Sequence, residues 1–212
     1  MSKYLETAKL LFKTQLVYRF DTIINMTLYF FGVISIQGKI KTGQLDLYIT
    51  KPVKPLFYLS FENINVGSIP LVFASICIIL YAVSNMAVEI TAIKIIGYIF
   101  LVILMLILYY DMGVILRTIL FFVIQATSIE RFEGEFIELC MKVPGVLFKG
   151  AFKVVFYLFL PYGIMATMPT QIFIGTLSPL GFLYAIGITF VFTSFTLWFW
   201  KLGLKNYKSA SS

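Results

Sequence analysis

Along this chain, long apolar runs are cut by short charged segments. Within residues 3–17, Tyr4, Leu5, Ala8, Leu11, Phe12 and Leu16 recur at helical spacing, while Lys3, Glu6, Lys9 and Lys13 fall on the other side. An apolar face below a cationic one predicts an interfacial helix within 1–21, lying on a membrane. Thr22 to Gly38 carries no charge and is barely long enough to span, since a helix needs roughly 20 apolar residues to cross a ~30 Å hydrocarbon core. Asn65–Met86 predicts a full span, because no charge lies between Glu62 and Glu89. A short connection then leads into a helical run from Ile95 to about Thr127, which contains Asp111 and Arg117. That run exceeds the membrane thickness, so one end projects or the helix kinks.

Segment 128–153 turns polar again, with Ile129, Phe132, Phe136, Leu139 and Cys140 on a face opposite Arg131, Glu135, Glu138 and Lys142. Between Lys153 and Lys201 no charge occurs, which leaves room for two spans. Their turn is expected at 168–179, and Pro161 is expected to kink the first of them. The chain ends where aromatics meet lysines, as at a membrane face.

Lys and Arg cluster at the N-terminus, at 39–54, at 131–153 and at 201–208, whereas 87–94 and 168–179 hold almost none. Basic short loops stay on the cytoplasmic side, so all four clusters, and both termini, are expected inside. From residue 38 onward the crossings add up. Before it they do not: two inside clusters need an even number of crossings, and one apolar stretch separates them. A re-entrant excursion lacking a central Gly/Pro turn would leave backbone groups unpaired in lipid. The favoured reading is therefore one missing crossing, giving about five apolar spans in all.

Composition agrees with the pattern. Of 212 residues, 60% are hydrophobic and 13% charged, too few charges to cover a soluble domain. The formal charge of +7 would suggest nucleic acid in a soluble protein; here retained cytoplasmic loops account for it, and no nucleic-acid partner is expected. The chain has no histidine, and its two cysteines lie in unlike settings. That removes the commonest zinc, haem and triad ligands and implies neither a disulfide framework nor a metal site. No G-x-x-x-x-G-K-[ST] occurs, so the chain lacks the usual phosphate cradle. No catalytic set can be assembled either: there is no carboxylate pair and no nucleophile with a base.

Three stretches carry a resemblance. "IQGKIKTGQLDLYITKPVKPLF" holds Ile40, Gly43, Leu45, Asp46, Ile49, Lys51, Pro52 and Val53. It resembles a segment of bacterial ABC type-2 export permeases, nearest to the branch that pairs with daunorubicin-type ATPases. "KVPGVLFKGAFKVVFYLFLPYGIMATMPTQIFIG" and the ending "WKLGLKNYKSAS" are similar to later stretches of that family. Together they cover roughly residues 38–211.

The resemblance implies an all-α integral membrane protein forming one transmembrane domain over 1–212. It implies six crossings; this chain has room for one where the family has two, between Asp21 and Gly38. It also implies that a separate ABC ATPase subunit carries ATP and magnesium, with no cofactor on this chain. That subunit would drive the export of an amphipathic, drug-like, peptide or lipid-like compound across a bacterial plasma membrane. A second permease copy or a related permease would complete the dimer, with membrane lipids around it.

In that setting residues 38–62 suit a cytoplasmic coupling element. Gly43 permits a sharp turn, and Leu45, Asp46, Leu47, Tyr48 and Ile49 can form a short helix with an apolar docking face. Pro52 and Pro55 are expected to stop that helix and stiffen its exit, and Lys51 is placed to meet acidic groups or lipid phosphates. The second cytoplasmic segment offers Glu130, Arg131, Glu135 and Glu138. Asp111 and Arg117 are candidates for a translocation path, since ionisable groups inside a bilayer are costly. They lie six positions apart and do not stack on one helical face. The runner-up reading is a truncated, non-transporting membrane partner, such as a regulatory or immunity protein.

Overall fold

The structure is a computed structural model that describes residues 35–52, 54–62, 91–122 and 150–207, with positions 70, 73, 76, 77 and 135. Outside these lie the expected interfacial helix 1–21, the first apolar stretch to residue 34, most of Asn65–Met86 and most of segment 128–153, with Glu130, Arg131 and Glu138. In chain order the described helices are α1 (Ser35–Lys41), α2 (Asp46–Ile49), α3 (Pro55–Glu62), α4 (Ala92–Ile119), α5 (Ala151–Val154), α6 (Tyr162–Ile174) and α7 (Pro179–Asn206). No strand occurs among the described residues.

α4 is apolar all round, so the sequence alone does not say which face turns inward. Its packing sorts them. Ile93, Ile96, Ile99, Ile103 and Ile107 are exposed, whereas Leu101, Met105, Leu108 and Met112 are buried against the other helices. Both sets repeat at three- and four-residue steps, the spacing of one helical face. At 1.5 Å per residue the 28 residues of α4 reach about 42 Å, more than the ~30 Å of hydrocarbon. The helix ends eight residues earlier than the apolar pattern suggested. Its last turn tightens into i→i−3 bonds, from the amides of Leu120, Phe121 and Phe122 to the carbonyls of Arg117, Thr118 and Ile119. This carries the Phe121 ring against Trp200 and Tyr207, at 5.4 and 5.7 Å.

α7 has 28 residues and starts cleanly: Pro179 occupies its first turn, and the Ser178 hydroxyl accepts the Gly181 amide at 3.1 Å. A serine cap followed by proline is a favoured helix start. α7 packs along α4, presenting Ala185, Thr189, Thr196 and Gly203 among its buried residues. Small and hydroxyl-bearing side chains let membrane helices approach closely.

The turn before α7 is shorter than expected. α6 runs through Pro169 to Ile174, so the connection is Gly175–Ser178 rather than 168–179. Gly175 adopts φ 75°, and the Gly175 and Thr176 amides return to the Ile172 and Gln171 carbonyls. That is a Schellman ending, which only a left-handed residue allows. Proline inside a membrane helix is tolerated because neighbours and side chains re-satisfy the backbone.

At Pro161 the chain breaks rather than merely kinks. After α5, residues Val155–Phe159 widen into a π-turn closed by Leu160 N–H to Val155 C=O at 2.7 Å. The two arms, Ala151–Phe159 and Tyr162–Ile172, meet at 78°. Pro161 has no amide to offer the Tyr157 carbonyl, and the Tyr162 amide goes to Leu160 instead. The Tyr184 hydroxyl on α7 supplies the missing donor, 2.5 Å from that carbonyl. Irregular backbone at membrane depth survives where protein surrounds it; here Tyr162, Ile164 and Met165 are buried.

Among the described residues, α4 and α7 are each long and apolar enough to cross a membrane, and the bent pair adds a third where its two arms together count as one broken span rather than a re-entrant loop. The other expected spans fall mainly outside the described residues. Within Asn65–Met86, Pro70, Phe73, Ile76 and Cys77 are helical and exposed.

Candidate functional site

Residues 38–62 form three short helices rather than a loop. α1 gives way to a turn in which Gly43 adopts φ 72°, a conformation that costs any residue with a Cβ roughly 1–2 kcal/mol. The turn folds the chain back, so that the Leu45 amide reaches the Lys39 carbonyl at 3.2 Å. α2 follows. Leu45 is fully buried and Tyr48, three residues on, also points inward; Leu47 and Ile49 are 65% and 43% exposed. Pro52 lies in the bend after α2, and Pro55 opens α3 instead of ending α2. A proline at a first helical position sacrifices no hydrogen bond. α3 adds Phe57 and Phe61 to the exposed apolar surface, at 61% and 44%, with their rings 4.8 Å apart.

Polar contacts hold this group together. The Lys39 ammonium pairs with Glu62 and also donates to the Tyr48 hydroxyl at 3.0 Å. Tyr48 in turn donates to Glu62 Oε1 at 2.6 Å. Lys51 lies over the Tyr58 and Tyr48 rings, 4.0 and 4.8 Å from their centroids. α3 is tied to α4 by a 2.6 Å hydrogen bond between the Ser60 and Tyr110 hydroxyls. Asp46 faces the end of α7, where burial, and after it the Asp46 charge, raise the Tyr207 phenol above its ordinary pKa.

Asp111 and Arg117 are both buried, at 2% and 5% exposure. The Thr193 hydroxyl on α7 donates to Asp111 Oδ2 at 2.5 Å, joining α7 to α4 inside the bundle. The Arg117 guanidinium donates to the Gly113 carbonyl of its own helix at 3.2 Å. Glu135 is exposed on a helix.

Sequence reasoning missed Lys39, Glu62, Thr193, Tyr184 and Tyr207. Only Lys39 and Glu62 left a signal, as the charges bounding the polar segment.

The arrangement is that of a helical bundle whose long apolar helices suit a membrane, with a folded polar segment packed against it, the class of an integral membrane protein. The family model described as "ABC-2 family transporter protein" matches residues 11–211, and the chain belongs to that family. Its members are membrane transport components rather than catalysts, and the family implies pairing with an ABC ATPase subunit. No curated protein and no solved structure matches the chain.

Proposed function

We propose that this chain is the membrane-spanning subunit of a bacterial plasma-membrane ABC exporter, with both termini cytoplasmic. A separate ATPase subunit binds ATP and magnesium and docks on the cytoplasmic segment 38–62. The exported compound is amphipathic: drug-like, peptide or lipid-like. Two copies, or this chain and a related permease, form the membrane unit within surrounding lipid. The second cytoplasmic segment, with Glu130, Arg131, Glu135 and Glu138, meets the same subunit, and Asp111 and Arg117 border the path of the cargo.

The observation that carries this reading is the exposed apolar surface of Leu47, Ile49, Phe57 and Phe61 on a segment fastened to the bundle. An isolated four-residue helix is not stable in water. This one is held between a left-handed glycine and two prolines, with Leu45 and Tyr48 turned inward and Leu47 and Ile49 outward. The test is co-expression with an ABC ATPase subunit from the same genome, reconstitution into liposomes, and a stimulation screen across drugs, peptides and lipids. Co-purification and stimulation of ATP hydrolysis by amphipathic compounds are expected. Failure of any such ATPase subunit to co-purify would contradict the reading.

A further inference from the structure

Tyr48 has been grouped above with the docking residues, yet its surroundings assign it another task. From α2, its ring and hydroxyl engage side chains of both other short helices, α1 and α3. The Lys39 ammonium of α1 donates to the hydroxyl and also lies 4.2 Å from the ring centroid. Glu62, at the end of α3, accepts from the hydroxyl. Tyr58, also of α3, places its ring 5.5 Å from that of Tyr48. Lys39 is 9% exposed, which a lysine of a merely solvated loop would not be. Lys39 and Glu62 lie 9 and 14 positions from Tyr48 and 23 from each other, so no local propensity brings them together.

We propose that Tyr48, gripped by Lys39 and Glu62, is the joint that makes α1, α2 and α3 move as one body. A push on the exposed side of α2 is thereby delivered to both flanking apolar stretches, the one ending at α1 and the one that α3 leads into. Tyr48 is a positioning residue in this scheme and touches no partner. Removal of one member of such a cluster is costly, because a charge brought out of water loses its compensation. Phenylalanine at 48 would keep the stacking and the cation–π contacts while deleting the two hydrogen bonds.

The inference rests on the proposed docking of an ATPase subunit, and its test separates the two. Hydrogen–deuterium exchange is measured on the permease–ATPase complex in lipid nanodiscs, with and without ADP–vanadate. In the wild type, nucleotide changes exchange at both 46–49 and 35–41, the latter helix contributing nothing to the docked surface. In Tyr48→Phe, and in Glu62→Gln as a second variant, the response persists at 46–49 and falls about tenfold at 35–41, the factor expected from losing a charge-assisted hydrogen bond. A response at 35–41 equal to wild type in both variants overturns the joint and leaves docking standing. No nucleotide response at 46–49 in the wild type overturns docking, and the joint with it.

Discussion

Leu47→Asp abolishes recovery of the ATPase subunit with the permease, while the variant still inserts and purifies as a monodisperse protein. Leu47 is 65% exposed, so the bundle loses little when it changes. In a docked complex the same side chain is buried, which contributes about 1.5–3 kcal/mol for a leucine. An unpaired carboxylate in its place adds a desolvation cost of several kcal/mol. The sum corresponds to an affinity loss of at least about 100-fold, since each 1.4 kcal/mol is tenfold. The measurement is titration of the detergent-solubilised permease with the ATPase subunit. An affinity within twofold of wild type would place docking elsewhere on the molecule.

Gly203→Leu separates α4 from α7 at their shared end, and Gly187→Leu on the same helix does not. A Cβ at Gly203 would sit 2.6 Å from Phe121 Cδ2 and 2.8 Å from Thr118 Cγ2. Neither neighbour can yield freely. Thr118 is fully buried and bonded to the Val114 carbonyl at 2.7 Å, and Phe121 is wedged between Trp200 and Tyr207. Gly187 has nothing within 4 Å. Overpacking of this kind costs about 1–3 kcal/mol, or roughly 2–12 °C of melting temperature for a chain of this length. Thermal unfolding in detergent micelles reads the difference, and equal melting temperatures for the two variants would show that the contact is not tight.

Much of this architecture was legible because membranes impose simple rules. Long apolar runs marked α4 and α7, and Pro161 marked the break between α5 and α6. Gly43 marked the turn into α2. Two boundaries moved for local reasons. Pro169 reads as a turn signal in water, yet the bundle absorbs it inside α6, and the glycine that ends the helix comes six residues later. α4 stops at Ile119 because Phe121 packs onto α7, a contact that no local pattern announces.

The inward faces were not legible, since a helix apolar on all sides carries no marker for lipid against protein. Nor were the polar pairs. Asp111 and Thr193 are 82 positions apart, and a threonine in an apolar run looks like any other small residue. Lys39 and Glu62 were visible as charges, but their meeting across the turn depends on the left-handed glycine between them.

The claim on which this account turns is that segment 38–62 faces the cell interior and is covered there by the ATPase subunit. On a Cys77→Ser, Cys140→Ser background, a membrane-impermeant maleimide reports this at Thr50→Cys, an exposed position in the bend after α2. The account predicts no labelling in intact cells, labelling in inverted vesicles stripped of the ATPase subunit, and protection when that subunit is restored. Labelling from the outer medium of intact cells would contradict it.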